Sequence, residues 1–176
     1  MNRRIALIIA FRDFRDEEYF ITKQVLEGAG VKITTVSTNL GKAIGAYGGE
    51  AEVDLLIDEL NVFDYDGIVF VGGAGAFKYV DDTKAHEIAS SAIKENKVLG
   101  AICVAPIILA KAGVLKGKKA TVWSSTMDKS PIKILKEGGA IYEDKDVVVD
   151  GNIVTANGPA AAQKFGEVLT EILKKI

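Results

Sequence analysis

A chain of 176 residues, 48% hydrophobic and 26% charged, is long enough to bury a substantial core and has the make-up of an ordinary soluble globule. A formal charge of −2 supplies no cationic surface for nucleic acid. A lone cysteine excludes an internal disulfide and a cysteine-rich zinc site and fits a cytoplasmic location, and a lone histidine argues against other transition-metal sites.

Arg3 and Arg4 ahead of an apolar run resemble the start of a signal peptide. The run is short, Arg12, Asp13, Arg15 and Asp16 follow at once, and no small-residue cleavage pattern appears. A buried first strand over 4–10 accounts for the segment, and nothing in the chain is long enough to span a membrane. A helix over 17–27 stops at Gly28, and a second strand spans 31–37. Glycines at 45, 48 and 49 divide 42–57 into short strands and turns. A central strand over 68–71 runs into Gly72-Gly73-Ala74-Gly75. Asp82 or Thr83 caps a helix reaching about Asn96.

Residues 98–102 form a buried strand and 104–113 a helix closed by glycine, so Cys103 occupies a strand-to-helix turn. A further strand spans 119–123, and Ser130-Pro131 opens a helix. Residues 147–155 read as a hairpin turning at Asp150-Gly151, and a helix over 159–176 closes the chain. Strands alternating with amphipathic helices predict one domain over 1–176, with a mostly parallel sheet covered on both faces.

Ligands of such a sheet bind beyond the carboxyl ends of its strands. Cys103 lies there, flanked by Ala101 and Ala105, and a nucleophile elbow needs small residues at those two positions. A following helix N-terminus is expected to lower the thiol pKa below that of free cysteine. A lone cysteine in an apolar segment also reads as a small buried hydrophobe, and the two readings balance. The Gly72-Gly73 turn can present backbone amides to an oxyanion or be a plain strand exit. Asp16, Glu17 and Glu18 open the first helix. Acidic residues there generally complement the helix dipole, yet one of them could face Cys103, and periodicity does not choose among them. His86 reads as a surface or half-buried helix residue, and Trp123 as a core residue or a pocket wall.

At these residues the chain resembles the ThiJ/PfpI superfamily, the DJ-1 and PfpI-like branch of the class I glutamine-amidotransferase-like fold. The resemblance rests on Ala101-Ile102-Cys103 with Pro106, on Ala112-Gly113-Val114-Leu115-Lys116-Gly117, on Val71-Gly72-Gly73 and on Gly158-Pro159-Ala160. It implies a flavodoxin-like three-layer α/β sandwich with a nucleophile elbow. It also implies a homodimer or higher homo-oligomer with the site near the subunit interface. Counting back from Gly30, it selects Glu18 as the partner of Cys103, and it places the Gly73 and Val104 amides around a thiolate or oxyanion, with Gly72 and Trp123 beside them.

The implied activity is glyoxalase- or deglycase-like action on small reactive carbonyls without metal or organic cofactor. Redox sensing through oxidation of Cys103 is the alternative, and a peptidase-like hydrolase the third. Val104 follows the cysteine where protease-like members carry histidine, and Trp123 occupies the other family histidine position. A Cys–His relay is therefore not expected, and peptidase chemistry lacks its proton donor for a departing amine.

Overall fold

The computed structural model describes residues Met1–Ile176. In chain order the elements are β1 (Arg3–Ile8), β2 (Arg12–Phe14), α1 (Asp16–Gly28), β3 (Val31–Ser37), β4 (Gly41–Gly45), β5 (Glu50–Val53) and β6 (Leu55–Leu56). Then follow β7 (Gly67–Phe70), α2 (Thr83–Lys94), β8 (Val98–Ile102), α3 (Pro106–Lys111), β9 (Lys119–Ala120) and α4 (Ser130–Glu137). The chain closes with β10 (Ile141–Tyr142), β11 (Val147–Asp150), β12 (Ile153–Ala156) and α5 (Ala162–Leu173). Single 3₁₀ turns link several of them, including Ala74–Tyr79 after β7.

The main sheet has seven strands in the order β11-β12-β8-β7-β1-β3-β6. All pairings are parallel except β11 with β12, a hairpin across the Asp150-Gly151 turn. The four residues of β7 and the five of β8 are buried throughout, as continuous apolar runs covered on both faces require. α1 packs on α5, and α5 lies over β8 and β12; α2 also packs on β8, from the apolar side of its own amphipathic face. Phe165, Leu169 and Leu173 are spaced at four and eight along α5 and are fully buried. Each contributes on the order of 1.5–3 kcal/mol by leaving water. One hydrophobic cluster of 53 buried residues joins the two faces of the sheet, and no helix is long and apolar enough to cross a membrane.

Asp82 caps α2 by accepting from the Ala85 amide at 2.8 Å. The strand expected over 119–123 keeps its ladder only at Lys119–Ala120. Beyond it the Thr121 amide donates to Thr155 Oγ1 at 2.9 Å and the Trp123 amide to the Cys103 carbonyl at 2.8 Å, so backbone pairing is replaced by cross-links to the site. α3 begins at Pro106 rather than Val104, because Cys103, Val104 and Ala105 form the turn that precedes it. β2 is an addition. It lies parallel to β4, which pairs antiparallel with β5, and this small sheet lies beside the exit of β1.

From β1 the chain passes through α1 to β3 on one side, and it later returns to β7 on the other side of β1. Connections therefore diverge between β1 and β7, which opens a crevice at their carboxyl ends. Cys103 stands at the exit of the next strand, β8.

Candidate active site

Cys103 has φ +65°, a left-handed backbone conformation that a side chain disfavours and that a sharp strand-to-helix elbow imposes. The elbow is held by the Cys103 amide donating to the Ala156 carbonyl at 2.9 Å and by the Trp123 amide donating back to the Cys103 carbonyl at 2.8 Å. Ala101 and Ala105 are fully buried, as the expected small flanks should be. Cys103 and Val104 each retain 8% exposure, so the thiol is nearly but not wholly enclosed.

Glu18 projects from the first turn of α1 into the same crevice and is 0% exposed. Its Oε2 accepts from the Gly72 amide at 2.9 Å. Oε1 has no nitrogen or oxygen partner, and the group hydrogen-bonded to the carboxyl besides Gly72 is the Cys103 thiol. Burial pushes the Glu18 carboxyl up to about 8, against the weaker opposing effects of Cys103, Gly72 and Arg15. A protonated Oε1 facing sulfur also resolves its lack of any other partner.

The expected lowering of the thiol pKa is not what the structure gives. Burial, and then the negative charge of Glu18, push the Cys103 thiol up, while the amides of Val104 and Gly73 oppose that shift by hydrogen bonding to sulfur. With only six residues in α3, its N-terminus does not outweigh desolvation. Thiol and carboxyl form one coupled acid pair, and the carboxyl is the member raised into the neutral range.

The close approach of chains depends on Gly72. A Cβ there would stand 2.6 Å from Glu18 Oε2 and 2.7 Å from Cys103 Cβ. Gly73, at φ +105°, turns the chain against 13–15, where its own Cβ would meet the Arg15 nitrogen at 2.5 Å.

The three acidic residues therefore separate by task. Asp16 accepts from the Tyr47 and Gly49 amides at 2.8 and 2.7 Å and pins the β4–β5 turn. Glu17 is half-exposed and receives Arg15 Nε at 2.6 Å. Glu18 alone faces the thiol. The Gly73 and Val104 amides hydrogen-bond to sulfur, and the Gly72 amide donates to Glu18. Trp123 reaches the site through its backbone, and its half-buried ring lies near Gly158. His86 Nε2 lies 2.7 Å from the Val80 carbonyl, so the one histidine belongs to α2 and its entry turn. A hollow of about 270 Å³ lined by Thr38, Ile57, Lys78, Tyr79 and Asp82 is separate and does not include Cys103. Ala156 and Arg15 are the site neighbours that sequence patterns do not flag. Arg15 carried one usable signal, its charge three residues before Glu18 at the exit of a strand.

A mostly parallel sheet covered by helices, with a cysteine at a left-handed strand-to-helix elbow and a carboxyl group buried against its thiol, defines a single-cysteine α/β protein of the elbow type. The chain belongs to the DJ-1/PfpI family, whose model matches residues 3–172. It is 45% identical to protein MJ0967 of Methanocaldococcus jannaschii over 99% of this chain and 83% of that one. It is 32% identical to the protein named deglycase PfpI of Pyrococcus furiosus over 96% of this chain and 98% of that one. The crystal structure of a ThiJ/PfpI domain protein from Brachyspira murdochii superposes with a TM-score of 0.94 at 32% identity, covering 99% of this chain and 98% of that one.

Proposed function

We propose that the protein acts on small reactive carbonyls, with Cys103 as nucleophile and Glu18 as proton carrier. The observation that carries this reading is the Glu18 carboxyl, fully buried against the thiol and raised to about 8. A carboxyl group in that state can give and take a proton near neutrality. The deglycase name of the relative from Pyrococcus furiosus supports the same class of substrate.

The reactive form of the pair has lost one proton and keeps the other on Glu18, so that sulfur is the thiolate. Sulfur attacks the aldehyde carbon of methylglyoxal, a carbon–sulfur bond forms, and the carbonyl π electrons move to oxygen. Glu18 protonates that oxygen, giving a hemithioacetal. The resulting carboxylate removes the hydrogen from the same carbon and returns it to the neighbouring carbon, which leaves a thioester. Water cleaves the thioester to lactate and restores the thiol, so one methylglyoxal and one water give one lactate with no net redox change. The Gly73 and Val104 amides, held rigidly at the sulfur, are placed to stabilise charge beside it.

Two other readings have less support. Burial that pushes the thiol up slows attack on peroxide and on a carbonyl alike, but only the carbonyl reaction uses a Glu18 carboxyl that gives and takes a proton near neutrality. Amide cleavage requires a donor for the departing amine, and the chain's histidine lies elsewhere.

Methylglyoxal consumption and lactate formation by wild type, Cys103→Ser and Glu18→Gln test the proposal. Wild type should turn over, with kcat/KM rising with pH towards about 8, and both variants should lose at least a hundredfold, the usual worth of a general acid–base group. Turnover that survives Glu18→Gln refutes the assigned role of the carboxyl.

A further inference from the structure

Sequence 11–15 crosses the exit of β7. The Arg15 amide donates to the Gly72 carbonyl at 3.0 Å, and the Gly72 amide donates to Glu18. The Arg15 backbone therefore stands against the same two-glycine turn that touches Cys103. Its side chain is held from two sides. Nε donates to Glu17 Oε2 at 2.6 Å, and the guanidinium carbon lies 4.8 Å above the Tyr47 ring. Tyr47 is itself fixed through its amide by Asp16. Neither contact uses the terminal Nη1–Nη2 edge, which is the edge that grips planar two-oxygen anions.

The Arg15–Glu17 pair does not cancel this capacity. Both side chains are about one-third exposed, at 34% and 38%, and an ion pair at that exposure is worth at most about 1 kcal/mol. Its effect is orientation. Arg15 also acts electrostatically on Glu18, so its charge reaches the reacting pair. When that pair has lost a proton it carries a negative charge, which would repel an anionic substrate unless a cation stood beside it.

We propose that Arg15 is an anion-gripping residue of the Cys103 site and that the preferred substrate is a 2-oxoaldehyde with a carboxylate beyond its keto carbon, so that the keto carbon remains free to receive the shifted hydrogen. This rests on the carbonyl reading above and narrows it. The aldehyde carbon meets sulfur, the distal carboxylate meets the Nη edge of Arg15, and the hemithioacetal forms and rearranges as described.

Two alkylating agents with the same reactive carbon test the assignment. Iodoacetate is anionic and iodoacetamide neutral; in both, the thiolate forms a carbon–sulfur bond as iodide leaves. The ratio of their rates at Cys103 cancels the thiolate fraction and reads the local preference for an anion. Relative to a free thiol, wild type should favour iodoacetate about tenfold, equivalent to about 1.4 kcal/mol, and 1 M NaCl should erase most of that preference. Arg15→Gln should abolish it, and Arg15→Lys, which keeps the charge without the fork, should retain part. Glyoxylate should protect Cys103 from iodoacetamide at lower concentration than glyoxal in wild type, and not in Arg15→Gln.

Circular dichroism checks that the variants fold, and the wild-type ratio with its salt dependence stands without them. Labelling without any anion preference overturns the Arg15 assignment and leaves the carbonyl reading intact. No labelling of the folded protein by either agent overturns both.

Discussion

Glu18 links the stability of the protein to pH in a way that can be isolated by one substitution. Its carboxyl moves from an ordinary value of 4.5 to about 8 on folding. The folded chain thus holds a proton that the unfolded chain has already released. The contribution is complete below about 4.5 and is lost as pH rises through about 8. Integrating the linkage relation between pH 5 and pH 8 gives a loss on the order of 3–4 kcal/mol, steepest between the two values. Glu18→Gln keeps the volume and an acceptor for the Gly72 amide and cannot ionise. The difference in unfolding free energy between wild type and variant should therefore fall by about 3–4 kcal/mol across that interval, which corresponds to roughly 10 °C in relative Tm for a chain of this size. Subtracting the variant removes the other titrating groups, and Cys103, also raised, loses its own contribution only at higher pH. Thermal or denaturant unfolding at half-unit pH steps is the assay. Parallel stability curves for the two proteins from pH 5 to pH 8 would refute the buried-proton account.

Gly72→Ala forces a methyl group to within 2.6 Å of Glu18 Oε2 and 2.7 Å of Cys103 Cβ, so it should cost about 2 kcal/mol by chemical denaturation and uncouple the pair, lowering carbonyl turnover more than folding yield. Thr22 in α1 is 0% exposed and its hydroxyl has no partner. Thr22→Val should raise stability by about 1 kcal/mol, and a loss of that size would show that the hydroxyl is satisfied in solution.

The elements that position the site could be read from the chain because their signals are local. The apolar run before Cys103, the alanines on either side of it and the glycine that ends the following helix are sequence-near features, and the structure places β8 over Val98–Ile102 as expected. Asp82 as a cap and the hairpin after Val147 are equally local. What depends on distant partners was harder to see. Nothing within Arg12–Phe14 marks a strand, since β2 exists only by pairing with β4 about thirty residues later. Periodicity did not separate Asp16, Glu17 and Glu18, because their tasks are set by Tyr47 and Gly49, by Arg15 and by Gly72. The family resemblance singled out Glu18, and Glu18 is the one of the three whose carboxyl is hydrogen-bonded to the thiol. The thiol pKa departs from the sequence expectation for a similar reason. A helix start is visible in the sequence, whereas the depth at which Cys103 lies is a property of the assembled fold.

The left-handed backbone at Cys103 sets the thiol at odds with the chain that carries it. At φ +65° any side chain costs on the order of 1 kcal/mol, and glycine would relieve it. Selection for thermal robustness alone would erode this position towards glycine. The neighbouring alanines would feel no such drift, since they lie buried where larger groups do not fit. On the function proposed above, a cysteine at this elbow is held by its chemistry, against the folding preference of its own backbone. In a population of related chains released from the need for that chemistry, Cys103 should be the first residue of the site to disappear.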